Sequence, residues 1–257
     1  MDKGLVSIIM PSYNCGRFVE ETIRSVQAQT YQNWEIIFVD DCSRDDTMSI
    51  VMALKEEDQR IHVLQNSQNY GAAVSRNFAL REAKGRWIAF LDSDDLWKPE
   101  KLEHQIKFME ENGYSFSCTE RDVVNEESKS VGLFVTGPER ITKAGMTRYC
   151  WVGCLTVMYD AKVMGVIQIA DLKKNNDYAI WLKAIKKADC YLLKENLASY
   201  RQRKGSISHD SLSKLIKSHY DLWRTGERKN PVTATYLSLQ NMVFGVIKKI
   251  VYVKKQA

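Results

Sequence analysis

Four short runs rich in β-branched and aromatic residues, Leu5–Met10, Glu35–Val39, Ile61–Gln65 and Trp87–Leu91, are separated by stretches whose apolar residues recur at helical spacing. Phe18, Val19, Thr22, Ile23 and Val26 share one helical face, as do Ile50, Val51 and Leu54. A third helix is expected from Gly71 to Ala83, stopped near Gly85. Strands alternating with helices pair in parallel through right-handed crossovers, which gives a wound α/β sheet. In such a sheet ligands bind beyond the carboxyl ends of the strands. The polar clusters of this chain fall at those ends, so one site is expected there.

The fourth run ends abruptly in Phe90-Leu91-Asp92-Ser93-Asp94-Asp95, with Leu96-Trp97-Lys98-Pro99 following. Carboxylates crowded at a strand tip repel one another unless a cation neutralises them. Hard oxygen donors suit Mg²⁺ or Mn²⁺, ions that also take phosphate oxygens. An acidic helix N-terminus accounts for the same residues, since Pro99 fits a first helical position and carboxylates favour that end. Pro11-Ser12-Tyr13-Asn14 closes the first strand; Tyr13 can stack on a planar ring, and Ser12 or Asn14 can cap the next helix. In the second turn, Val39–Thr47, Ser43, Asp45 or Asp46 can cap, whereas Asp40 and Asp41 sit earlier, at the strand tip. A carboxylate there can accept a hydrogen bond from an imide N–H, the group that distinguishes uracil from cytosine. Asn69-Tyr70-Gly71 with Arg76-Asn77 closes the third strand, and Arg76 can reach a diphosphate or pair with an acidic strand tip.

Beyond these turns the pattern becomes mixed. A helix is expected over Pro99–Asn112, with Leu102, Ile106 and Met109 on one face. Strand-like pieces (Phe116–Cys118, Leu155–Tyr159, Tyr191–Leu193) then surround helices near Ile141–Tyr149 and Asp177–Lys187, an α+β half that continues the same domain. Glu120–Lys129 reads as a polar surface turn. After Pro231, Tyr236, Leu239, Val243, Val246, Ile250 and Val253 recur at helical spacing beside Lys248, Lys249, Lys254 and Lys255. Such an amphipathic basic helix either lies on a membrane surface or packs against the domain.

Composition narrows the class. The 257 residues are 44% hydrophobic and 27% charged, as in an ordinary soluble globular protein, and the net charge of +5 suits an anionic partner without being a nucleic-acid signature. Six scattered cysteines with no CxxC pair and no adjacent histidine point to reduced thiols in a cytosolic protein rather than a zinc site. Neither a signal peptide nor a bilayer-spanning stretch is apparent.

Taken in series, Val6–Asn14, the Val39–Thr47 turn, Asn69-x-Gly71 with Arg76-Asn77, and Phe90–Asp95 resemble family 2 glycosyltransferases in order and spacing, over roughly residues 5–210. The bacterial branch that makes teichuronic acid and O-antigen is the most similar. The resemblance implies a GT-A fold. Residues 1–210 would form the transferase domain, with a nucleotide-sugar-binding half at about 1–98 and an acceptor half at 99–210; 211–257 would be a helical tail. It also implies inverting transfer from a nucleotide-sugar, with Mn²⁺ or Mg²⁺ as cofactor. Pro11, Tyr13 and Asp41 would hold uracil, with Asp40 beside them and Ser12, Asn14, Asn69 and Gly71 in the same donor-binding turns. Arg76 would sit near the nucleotide, Asp92 toward the ribose with Ser93 among the donor-binding residues, and Asp94 would ligate the metal with help from Asp92.

Asn175-Asn176-Asp177-Tyr178 resembles the segment carrying the family's catalytic carboxylate, usually a Glu-Asp pair. Here Asn176 replaces the first acid, leaving Asp177 as the base; without the resemblance Asp177 reads as a helix cap. Val152–Met158 resembles the strand bordering the acceptor pocket. Ser199–Ser208 resembles a mobile basic loop, with Arg201, Arg203 and Lys204 closing over the donor diphosphate; His209 after it would either complete the metal shell or stand as a lone surface histidine. The implied acceptor is a saccharide or lipid-linked saccharide at the inner face of the cytoplasmic membrane. Two rivals stay open: a nucleotidyltransferase, which would normally carry a Gly-rich loop where Pro11–Asn14 stands, and a non-catalytic nucleotide-sugar-binding protein.

Overall fold

The computed structural model describes residues 3–170, 172–203 and 212–255. The first half runs β1 (Val6–Ser12), α1 (Gly16–Gln27), β2 (Trp34–Asp40), α2 (Thr47–Glu57), β3 (Ile61–Gln65), α3 (Ala72–Glu82) and β4 (Trp87–Phe90). These four strands are parallel, in the order β3-β2-β1-β4. The chain therefore winds outward in both directions from β1, and a crevice opens between the carboxyl ends of β1 and β4, where such sheets take their ligands.

Strand periodicity explains the two cores. Ile8, Met10, Ile36 and Phe38 pack on one face against Val19, Ile23 and Val26 of α1. Ile9, Ile37 and Val39 point the other way, toward Ala79 and Leu80 of α3. Both faces are covered, so the strands read as continuous apolar runs.

A short β5 (Leu96–Trp97) leads into α4 (Lys101–Asn112), which buries Leu102, Ile106 and Met109 and ends at Gly113 in the left-handed conformation. Pro99 lies ahead of this helix rather than at its first position. The second half comprises β6 (Phe116–Val124), β7 (Ser130–Val135), β8 (Arg140–Ile141), α5 (Lys143–Arg148), β9 (Met158–Asp160), α6 (Ala161–Met164), α7 (Asn176–Ala184) and β10 (Cys190–Arg201). It ends with α8 (Leu212–Asp221), α9 (Pro231–Val251) and β11 (Val253–Lys255). β9 joins β4 antiparallel and carries the sheet on through β6, β7 and β11, while β10 runs parallel to β6. The result is an α/β fold with a mixed central sheet.

Three segments differ from their sequence patterns. Glu120–Val124 continues β6, and the turn is confined to the residues after it. β10 is twelve residues long rather than three; register shifts between Leu193 and Asn196 and between Asn196 and Ala198 break the alternation that would have marked it. In α9, capped by Asn230 with Pro231 in the first turn, Ala234, Leu237, Ser238 and Asn241 pack inward. The larger apolar stripe faces out, with Tyr236, Val243 and Ile250 exposed by 62%, 60% and 75%. Among the described residues no helix is long and apolar enough to cross a membrane.

Candidate active site

A cleft of about 510 Å³ opens at the carboxyl ends of β1 and β4. Pro11, Ser12, Tyr13 and Asp41 line one end, Asp92 to Asp95 and Arg203 the middle, and Arg121, Val152–Leu155 and Asn175–Asp177 the other. Sequence-predicted residues as far apart as Pro11 and Arg203 thus line one cleft.

At the first end, Tyr13 presents a half-exposed ring, and the Ser12 hydroxyl is buried without a partner. An unpaired buried hydroxyl facing a cleft is a group waiting for a ligand. Asp41 shapes the neighbouring turn: its Oδ1 accepts from Asn66 Nδ2 (2.8 Å) and Tyr70 N (2.9 Å), and its Oδ2 from Gly71 N (2.7 Å). Gly71 has φ of +90°, which a side chain would strain, and nothing crowds the position of a Cβ. Its conformation aims its N–H at Asp41.

Several donor-end expectations are placed differently. Asp40 is fully buried under the turn, accepting from Ser43 N (2.9 Å) and Gln65 Nε2 (3.0 Å), and it does not reach the cleft. Asn14 spends its side chain on Arg44 N (2.8 Å). Asn69 and Gly71 are outside the lining. Asp45 takes the capping role, accepting from Gly16 N and Thr47 N at the starts of α1 and α2.

At the acidic tip, Asp92 pairs with Arg76 Nη2, while Arg76 Nη1 donates to Asn176 Oδ1 at 2.5 Å. Arg76 therefore links the strand tip to the residue before Asp177. Burial and the nearby Asp92 charge raise the Asp94 carboxyl above its ordinary range, against the opposing effect of Arg203, whose Nε lies 2.7 Å from Asp94 Oδ2. Asp95 is raised further, by burial and by Asp94 and Asp92, and its Oδ1 accepts from Arg201 N at 2.8 Å. Crowded carboxylates that resist ionisation fit a site completed by a cation. Among the described residues no three His, Cys, Asp or Glu side chains converge as a complete metal shell. One or two carboxylates plus phosphate oxygens from a substrate is the arrangement Mg²⁺ commonly takes.

Arg201 requires a correction. It ends β10 rather than lying in a loop, and its side chain has no exposed surface. It pairs with Glu21 (2.7 Å) and donates to the Asp94 carbonyl (2.7 Å) and to Ser128 Oγ (2.8 Å), bracing the acidic tip instead of reaching over a diphosphate. Arg203 does line the cleft. Lys204 and His209 lie outside the described residues.

Asp177 sits in the first turn of α7, one residue inside its start. The capping position belongs to Asn175, in the left-handed conformation with φ of +55°, so Asp177 is free of the capping role and borders the cleft. Its Oδ1 accepts from the adjacent Tyr178 N (2.8 Å). Behind it, Ile180, Trp181 and Ala184 are buried in the core, with Trp181 edge-on to Phe90 at 5.0 Å. The helix bearing Asp177 is thereby seated on the strand bearing the acidic tip. Sequence reasoning missed Arg121 and the cleft lining at Lys173 and Lys174; Arg121 was hidden in a stretch read as a turn.

The mixed α/β sheet, with its cleft at the carboxyl ends of β1 and β4, is of the GT-A glycosyltransferase type. Residues 7–151 match the description "Glycosyl transferase family 2", and the chain belongs to that family. It is 40% identical to a Bacillus subtilis (strain 168) glycosyltransferase assigned to teichuronic acid biosynthesis, TuaG, covering 96% of this chain and 98% of that one. It is 39% identical to the Escherichia coli UDP-Glc:α-D-GlcNAc-diphosphoundecaprenol β-1,3-glucosyltransferase WfgD, over 96% of each. In structure it is similar to S. aureus TarS residues 1–349 in complex with UDP-GlcNAc, with a TM-score of 0.72 and 22% identity over 92% of this chain and 71% of the other.

Proposed function

We propose that this chain is an inverting, divalent-metal-dependent transferase moving a sugar from a UDP-sugar to a hydroxyl of a lipid-linked saccharide in bacterial surface polysaccharide synthesis. The supporting observation is the single cleft that joins Tyr13 and Asp41 to the acidic tip and to Asp177. The names of the E. coli relative and of the TarS complex, which state a UDP-sugar donor or ligand and, for the former, a diphosphoundecaprenol-linked acceptor, agree with this reading.

In this scheme the base stacks on Tyr13 and meets Ser12 and Asp41. Asp177 takes the proton of the acceptor hydroxyl as that oxygen bonds to the anomeric carbon. The bond from that carbon to the diphosphate oxygen breaks on the opposite face, inverting configuration, and its electron pair leaves with the diphosphate. Arg203 faces the charge that develops there, and Arg76 holds Asp92 and Asn176 in register. A Mn²⁺ or Mg²⁺ ion held by Asp94 and Asp92 would supply Lewis-acid stabilisation of the leaving group.

The outward apolar stripe of α9, with Lys249, Lys254 and Lys255 beside it, supports peripheral attachment to an anionic membrane face, where a lipid-linked acceptor resides. Leu239→Glu with Val246→Glu should abolish sedimentation with anionic vesicles; undiminished sedimentation would refute attachment. The reaction itself is tested by Mn²⁺-dependent hydrolysis of a panel of UDP- and other nucleotide-sugars. Slow release of nucleoside diphosphate from one donor, lost in Asp94→Asn, is the expected result. Release of pyrophosphate would instead favour a nucleotidyltransferase.

A further inference from the structure

Arg121 projects from β6 into the cleft beside Gly153. Its Nε is buried without a hydrogen-bond partner, and among the described residues no carboxylate forms an ion pair with it. The acid that most affects it is Asp95, whose own Oδ1 is taken by Arg201 N. A cation desolvated without a matched anion is unfavourable, and proteins seldom hold one unless something else completes it.

Gly153 strengthens the argument. Its φ of −104° is open to any residue, so backbone conformation does not require glycine there. Space does. A Cβ on Gly153 would lie 2.1 Å from Arg121 Nη1 and 2.7 Å from its Cζ. The absent side chain is what leaves room for the guanidinium against Gly153, at a cleft lined by both Arg121 and Val152–Leu155.

We propose that Arg121 is an anion-binding residue that receives a phosphoryl oxyanion between the acidic tip and this wall. The guanidinium offers a planar fork matched to phosphate oxygens. The inference rests on the transferase reading of the cleft. Two sources supply the same chemistry: the donor diphosphate, or the diphosphate linking an acceptor to its lipid.

Calorimetry on the full chain separates them. UDP and uridine are titrated with Mg²⁺ present, and hexyl diphosphate is titrated into UDP-saturated protein. Arg121→Met should weaken either UDP or hexyl diphosphate by about tenfold to a hundredfold, the range for loss of a charge-assisted phosphate contact, while uridine binding stays unchanged. Loss for UDP assigns the donor diphosphate, and loss for hexyl diphosphate assigns the acceptor's. Arg121→Lys should recover part of the loss. Gly153→Ala, which keeps the charge but displaces the guanidinium, should reproduce the Arg121→Met pattern. Unchanged binding of both diphosphates in a folded Arg121→Met protein would overturn the proposal. If the wild-type chain bound no UDP at all, the transferase reading would fall first and carry this inference with it.

Discussion

At the donor end, Asp40, Asp41 and Asn14 are each engaged by neighbours thirty residues away or fewer. The wall around Asp177 is held instead by side chains reaching back more than ninety residues from α9. Asn241 Nδ2 donates to the carbonyls of Arg148 (2.7 Å) and Thr147 (3.2 Å), and Lys248 Nζ to those of Cys150 and Trp151 (2.9 Å each). Those carbonyls belong to the segment leading directly into Val152 and Gly153. The turns around Asp41 are therefore held within the wound sheet, whereas the wall leading into Gly153 is held by the C-terminal helix. Damage to one should leave the other intact.

The largest effect is expected from Asp94→Asn. It should reduce transfer on the order of a thousandfold and weaken metal-dependent UDP binding, because it removes the charge at the tip that both functions share. Titration of UDP with and without Mn²⁺ checks this. Lys248→Met should raise the acceptor KM about tenfold while UDP affinity stays within about twofold, since two carbonyl contacts to the acceptor wall are lost. An equal loss of UDP affinity would break the comparison between the two ends.

Asn241→Leu should cost about 1–3 kcal/mol of stability, because it strands Trp223 Nε1, which donates to Asn241 Oδ1 at 2.9 Å, as well as two carbonyls. Denaturant unfolding measures it. A further effect, confined to acid conditions, concerns pH. Burial lowers the pKa of His219, on α8, to about 4, so the fold holds it neutral. Its unfolded form titrates near about 6.5, and below that value the unfolded chain binds more protons. Stability should therefore be complete above about pH 6.5 and fall by up to about 3 kcal/mol as pH drops toward 4. His219→Phe should flatten that slope without changing UDP binding.

Legibility in the sequence follows the same division. The strand-end turns of the first half are short and local, so their residue types and spacing gave the wound sheet and placed Tyr13, Asp41, Arg76 and the acidic tip at the strand ends that line the cleft. Local patterning placed Asp40 beside Asp41 at the same turn, but only Asp41 borders the cleft: the two look alike until the register of β2 with β3 turns Asp40 inward. In the second half, β10 was concealed by its bulges, which is why Arg201 passed for a loop residue and not the buried end of a strand. Arg121 was concealed for a related reason, since polar residues at the end of β6 resemble the turn that follows. For α9 the spacing of apolar residues revealed a helix but not its packed side. Small residues, Ala234 and Ser238, allow close approach there and leave the bulkier stripe outside.

The central claim is that Asp177 acts as the base at the acceptor end of a donor site formed independently of it. Asp177→Asn tests this most directly, with UDP affinity and the rate of transfer measured on the same protein. The account predicts UDP binding within about twofold of wild type and transfer reduced by about a hundredfold to ten-thousandfold. Near-normal transfer would contradict the assignment of the base, and a parallel loss of UDP binding would contradict the independence of the two ends.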